Sequence, residues 1–123
     1  MYNSAMKNRW LFALVLFALA ALPAHAQSTD GNDLIVKCGV AVNKLDDPHK
    51  VFPWEDLVKV EYCTGIVHGV ADALGDSIAP PQNVNVGQCI RIVEKYLQDH
   101  PEDLSEPDTR LAIRALKKAF PVK

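Results

Sequence analysis

The chain has 123 residues, with 13 Lys and Arg against 15 Asp and Glu and a formal net charge of −2. That length fits one domain with a modest core and leaves little room for a second. The acidic balance argues against nucleic-acid binding, because affinity for a phosphate backbone is largely electrostatic.

The N-terminal segment differs in character from the remainder of the chain. Lys7 and Arg9 precede an unbroken apolar run from Trp10 to Leu22, and then come Pro23 and the small-residue site Ala24-His25-Ala26. Basic, apolar and small-residue regions in that order make a secretory signal peptide, with cleavage expected after Ala26. The run is shorter than the roughly 20 apolar residues of a membrane span, and Gln27-Ser28-Thr29 supplies a polar exit. Residues 1–26 are therefore expected to be removed, leaving residues 27–123 as one exported domain with no membrane attachment. The leader takes two basic residues and no acidic ones, so the domain is more acidic than the whole chain. It also inflates the overall hydrophobic content of 49%.

In the exported part, residues 27–33 are small and polar, which predicts an exposed tail. Leu34, Ile35, Cys38, Val42 and Leu45 then recur at helical spacing, so Cys38 should face inward. Asp46-Asp47-Pro48 ends that helix, and Pro53 restarts the chain ahead of a second one over about Trp54 to Asp76. Its apolar stripe is read as Trp54, Leu57, Val58, Tyr62, Ile66 and Val70. Gly65, Gly69 and Ala73 fall four apart on one face, at a cost in helix propensity. Close packing by another helix is the expected reason, since this spacing matches the ridges of packed helices.

Ser77 to Asn85 contains Pro80-Pro81 and no helical period, so it is read as a long loop and a candidate working surface. Asn85 with Gln88 forms an N-x-x-Q capping pattern for a third helix, whose buried face is Val86, Ile90, Val93 and Leu97. His100-Pro101 ends it. Ser105 and Asp108 read as a second capping pair, with Pro107 in the first turn of the last helix. Leu111, Ala112, Ala115, Leu116, Ala119 and Phe120 give the core face of that helix, and Lys117 and Lys118 suit its C-terminal dipole. No window alternates with period two, so the fold class is all-α, a small bundle of about four helices.

Signatures of catalysis are missing: there is no H-E-x-x-H, G-x-S-x-G, phosphate-binding glycine loop or C-x-x-C. No enzyme activity, catalytic residue, metal or cofactor is expected. His68 and Asp72 share a helix face, but two ligands do not make a metal site, and a surface hydrogen bond explains the pair. Cys38, Cys63 and Cys89 all follow the cleavage site, and an oxidising compartment lets two of them pair, with one thiol left over or bridging between chains. Cys89 lies at the edge of its helix's apolar face, where a thiol behaves as a small hydrophobe, and it has no recognisable base partner. The acids Asp99, Glu102, Asp103, Glu106 and Asp108 could attract a basic partner, although acids near a helix N-terminus already have a structural reason.

Three stretches, taken in order, carry a resemblance. Cys63-Thr64-Gly65-Ile66-Val67-His68-Gly69 with Asp72 is similar to a C-x-G-Y-I-x-G-x-x-D pattern. Gln88 is followed by Val93, Lys95, Tyr96, Leu97, His100, Pro101 and Glu102, and Ala115-Leu116-Lys117-Lys118-Ala119-Phe120-Pro121 is similar to A-L-x-x-A-F-P-C. These resemble the Rap/Tai immunity proteins of type VI secretion, which neutralise cell-wall amidase toxins in the periplasm. The resemblance implies a homodimeric helical protein that blocks the amidase groove and performs no chemistry.

It also implies a Cys38–Cys63 disulfide, closing a loop of about 25 residues worth roughly 3 to 4 kcal/mol. The family often has a second cysteine pair, in the loop after the second helix and at the end; Ala79 and Val122 stand there instead, and Ile66 replaces the usual aromatic. Toxin contacts are expected first from Ile78, Gln82 and Asn83, then from Glu102 and Asp103 in the acidic turn. The competing readings are a small periplasmic acid-stress chaperone, an enzyme using His68 and Asp72, and a family member with another protein partner.

Overall fold

The computed structural model describes residues 29–123, so the expected leader and its cleavage site lie outside the described residues. Among the described residues, four helices form the bundle: α1 (Gly31–Asp46), α2 (Trp54–Leu74), α3 (Val86–Asp99) and α4 (Asp108–Ala119). Short 3-10 turns at Gly75–Ser77 and Pro101–Asp103 come after α2 and α3. Among the described residues there is no β-strand, only an isolated bridge between Asp30 and Pro107. The all-α expectation holds.

The core is built from one face of each helix. Leu34, Cys38, Cys63, Val67, Val93, Leu97, Leu111 and Leu116 are the largest fully buried side chains. Cys38 and Cys63 form a disulfide between α1 and α2, with Cα atoms 5.1 Å apart and a sequence separation of 25. The bond joins the middle of α1 to the middle of α2, and both cysteines are wholly buried.

The predicted exposed tail at 27–33 is corrected over its described part. Asp30 is the N-cap of α1, its side chain accepting from the Asp33 amide at 3.1 Å. The Gly31 amide donates to the Glu106 carbonyl, the Asn32 amide to that of Leu104, and the Asp108 amide to that of Thr29, at 3.0 to 3.1 Å. The segment is thus clipped onto the turn before α4. Gly31 has a steric reason: a Cβ there would collide with Leu111 Cδ1 and lie 2.9 Å from Leu104 Cα.

A second correction concerns the face of α2. Trp54 is 75% exposed and Val58 49%, while Cys63, Val67 and Val70 are buried. Gly65, Gly69 and Ala73 are exposed, and a Cβ on either glycine would meet nothing within 4 Å. No helix of the bundle packs on them. The reason is that α2 carries apolar residues nearly all round, so periodicity alone could not choose the inward face.

At α3 the predicted capping box is present. The Asn85 amide donates to Gln88 Oε1 at 2.9 Å, and the Gln88 amide donates to Asn85 Oδ1 at 3.0 Å. Cys89, Ile90, Val93 and Leu97 are buried below it, but Val86, at the first helical position, is 38% exposed.

The Ser105–Asp108 capping pair does not form. Pro107 is the N-cap of α4, with no side-chain cap bond, and so stands one position before the first turn. Asp108 is buried and serves a tertiary purpose: its carboxylate accepts from the Tyr62 hydroxyl at 2.6 Å and from the Thr29 hydroxyl. Leu111, Ala112, Ala115, Leu116 and Phe120 are buried as expected, whereas Ala119 faces out.

Candidate functional site

The segment Ser77–Asn85 leaves the bundle between α2 and α3 and is held at both ends. Gly75 closes α2 with φ +45°, a left-handed conformation that glycine adopts without the Cβ penalty. Ile78 then turns inward and is 8% exposed. The Ala79 amide donates to the Phe120 carbonyl at 3.0 Å, tying the loop to the end of α4. Pro80 and Pro81 remove backbone freedom from the next step. Asn83, at φ 71°, makes the tip turn, a conformation asparagine tolerates better than most residues. Asn85 ends the loop as the cap of α3. Gln82 and Asn83 are therefore exposed on a stiff projection.

Beside this projection runs a groove of about 500 Å³, bounded by the C-terminal part of α2, the loop, the start of α3 and Phe120. Val67, Ala71, Ile78, Val84 and Cys89 contribute apolar lining, and His68, Asp72, Asn83 and Asn85 contribute polar groups. Burial pushes the Cys89 thiol above its ordinary value, which keeps it protonated and weakly nucleophilic at neutral pH. His68 Nε2 lies 3.8 Å from Asp72 Oδ2, with both side chains well exposed, a loose surface pair rather than a buried dyad. Among the described residues, no group of three or more His, Cys, Asp or Glu is arranged to hold a metal ion.

The acidic turn lies elsewhere. Glu102 is exposed in the 3-10 turn after α3, and Asp103 is half-buried, 3.7 Å from the Arg114 guanidinium. Arg114 also donates to Glu106 at 2.7 Å, and this bond holds the Glu106 carboxyl below its ordinary range. Asp103 and Glu106 are thus engaged within the domain. The 14 residues of α3 separate this turn from the Ser77–Asn85 loop by about 20 Å. Of the expected contact residues, the fold groups Ile78, Gln82 and Asn83 at one end of α3 and places Glu102 and Asp103 at the other. Ile78 supports the loop from below, and Gln82 and Asn83 are exposed at its tip.

With four helices, a disulfide between the first two and a projecting loop described, the comparison with known families is decisive. The family profile of the Rap1a immunity proteins matches residues 30–122. This chain belongs to the Rap1a immunity protein family. As a Rap1a-type immunity protein it has a toxin protein for a partner. The match begins at Asp30, the cap of α1, and ends at Val122, so among the described residues it takes in all four helices and both candidate surfaces. No curated protein matches the chain. In this Rap1a member, Ala79 and Val122 stand where the resemblance puts a second cysteine pair, and the Ala79–Phe120 hydrogen bond joins the same two segments.

The groove beside the loop was missed by sequence reasoning. His68 and Asp72 stand out in the sequence as a pair on one helix and Cys89 singly on another, and no spacing rule brings all three to one concavity.

Proposed function

We propose that this is a periplasmic immunity protein that binds a peptidoglycan amidase delivered by type VI secretion and occludes its active-site groove. The observation that carries this reading is the stiff Ser77–Asn85 projection, held by Ile78 on one side and the Asn85 cap on the other. A loop already ordered in the free protein loses little conformational entropy on binding, which favours tight inhibition. An interface of about 1,600 Å² with a few dominant anchors is compatible with nanomolar affinity, about −12 kcal/mol.

The protein acts by exclusion and carries out no reaction of its own, a reading supported by the protonated Cys89 and the exposed, loosely spaced His68–Asp72 pair. Export after cleavage at Ala26 is supported by the leader pattern, and an oxidising compartment suits the Cys38–Cys63 bond. The active species is a homodimer, to be checked by light scattering of the processed domain.

The decisive experiment expresses the product of the neighbouring reading frame, assays it for peptidoglycan amidase activity, and titrates the domain 27–123 against it as inhibitor. We expect nanomolar inhibition at neutral pH, weakened at least a hundredfold by Gln82→Ala with Asn83→Ala. Broad suppression of aggregation near pH 2 to 3, with no amidase binding, would replace this reading with that of a chaperone.

A further inference from the structure

We infer that the groove beside the projecting loop receives an apolar side chain of the toxin that is carried next to a basic residue. This rests on the immunity reading above, since the occupant belongs to the toxin. The floor is apolar: Val67, Ala71, Ile78, Val84, Cys89 and Phe120 all line it. At about 500 Å³ it is large enough for a leucine, methionine or aromatic side chain with part of its backbone.

The rim determines the sign of the neighbouring charge. Neither Lys nor Arg lines the groove, and Asp72 is its one carboxylate. That carboxylate is 71% exposed, and its sole ion-pair partner among the described residues is His68 at 3.8 Å. Asp76 comes four residues later, and the C-terminal carbonyls of α2 add negative potential at the same end. The α3 N-terminus faces the groove with the opposite polarity and offsets the α2 C-terminus, which leaves the full charge of the Asp72 carboxylate uncompensated. The excess is negative, so a cation is favoured beside the apolar anchor. Position supplies the link to the toxin. Asn83 belongs both to the loop tip and to the groove lining, so a surface that accepts the tip also covers the groove.

Two arms test this. The first needs no toxin: phenethylammonium and phenylacetate, which share a ring and differ in charge, are titrated into the 27–123 domain and followed by amide chemical shifts. Phenethylammonium should shift Val67, Ala71, Ile78 and Val84 at millimolar concentration and bind at least threefold more tightly than phenylacetate, and Asp72→Asn should erase that preference. Equal binding, stronger phenylacetate binding or no binding overturns the inference.

The second arm measures amidase affinity for Ala71→Trp, which fills the groove, and Asp72→Lys, an exposed substitution that does not threaten folding. Each should weaken binding at least thirtyfold, while Val36→Thr on the exposed face of α1 leaves it unchanged. Binding of wild type and Asp72→Lys within threefold of each other overturns the groove assignment and leaves the immunity reading standing. Absence of wild-type binding removes the immunity reading and, with it, the toxin as occupant.

Discussion

Asp108 shows how one residue can hold distant parts of the chain. Its buried carboxylate accepts from Tyr62 on α2 and from Thr29 ahead of α1, while its amide donates to the Thr29 carbonyl. Asp108→Ala removes the acceptor shared by the Thr29 and Tyr62 hydroxyls and leaves them only each other as partners, and urea unfolding should record a loss of about 1 to 3 kcal/mol. Burial, then the hydrogen bond to Asp108, raises the Tyr62 phenol above its ordinary 10.0. A raised folded-state pKa contributes stability that is complete below the unfolded value and lost as pH climbs through the folded one. Stability should therefore fall on the alkaline side of about pH 10, and Tyr62→Phe should flatten that fall when thermal midpoints are compared between pH 9 and 11. Gly31 is held by contact rather than by conformation. Gly31→Ala forces its new methyl against Leu111 and the Leu104 backbone, for an expected cost of about 1 to 3 kcal/mol in the same unfolding measurement.

Among the elements, the α1–α2 hairpin depends most on covalent chemistry. Reduction, or Cys38→Ser with Cys63→Ser, should lower unfolding free energy by about 3 to 4 kcal/mol, read as a shift in urea midpoint with and without reductant. The third helix depends instead on its cap. Asn85→Ala removes the acceptor for the Gln88 amide and should cost about 1 kcal/mol, while also loosening the loop that Asn85 terminates. The cap is legible in the sequence because its two partners are three residues apart. The supposed cap at Ser105–Asp108 has the same visible spacing, but there Asp108 finds stronger partners across the bundle. A local pattern predicts a local bond only where no distant group competes for the same atoms.

For the molecule as a whole, the helices cooperate to present one stiff end. The bridge fixes α1 on α2, the 29–32 clip ties the start of the domain to the turn before α4, and the Ala79–Phe120 bond ties the loop to the last helix. The Ser77–Asn85 loop is therefore supported by α2, α3 and α4 together. Membership of the Rap1a immunity family makes a toxin the partner of this protein, and under the proposed function that end of α3 is the one to mutate first.

Sequence alone determined the helical class, the α3 cap, most of the α4 core face and, through three ordered motifs, the family with its Cys38–Cys63 bond. The first three are encoded in short-range spacing, which a helix converts directly into faces and caps, whereas the Cys38–Cys63 bond, with a sequence separation of 25, came only as an implication of the resemblance. Tertiary structure decided what short-range spacing cannot specify. It selected the inward side of α2, apolar nearly all round, and so left Trp54 and Gly65 outside. It clipped residues 29–32 onto the turn before α4 through backbone hydrogen bonds, which have no side-chain signature. It also assembled Asp72, Cys89 and Phe120, widely separated in the chain, around one groove, because only the packing of three helices brings these segments together.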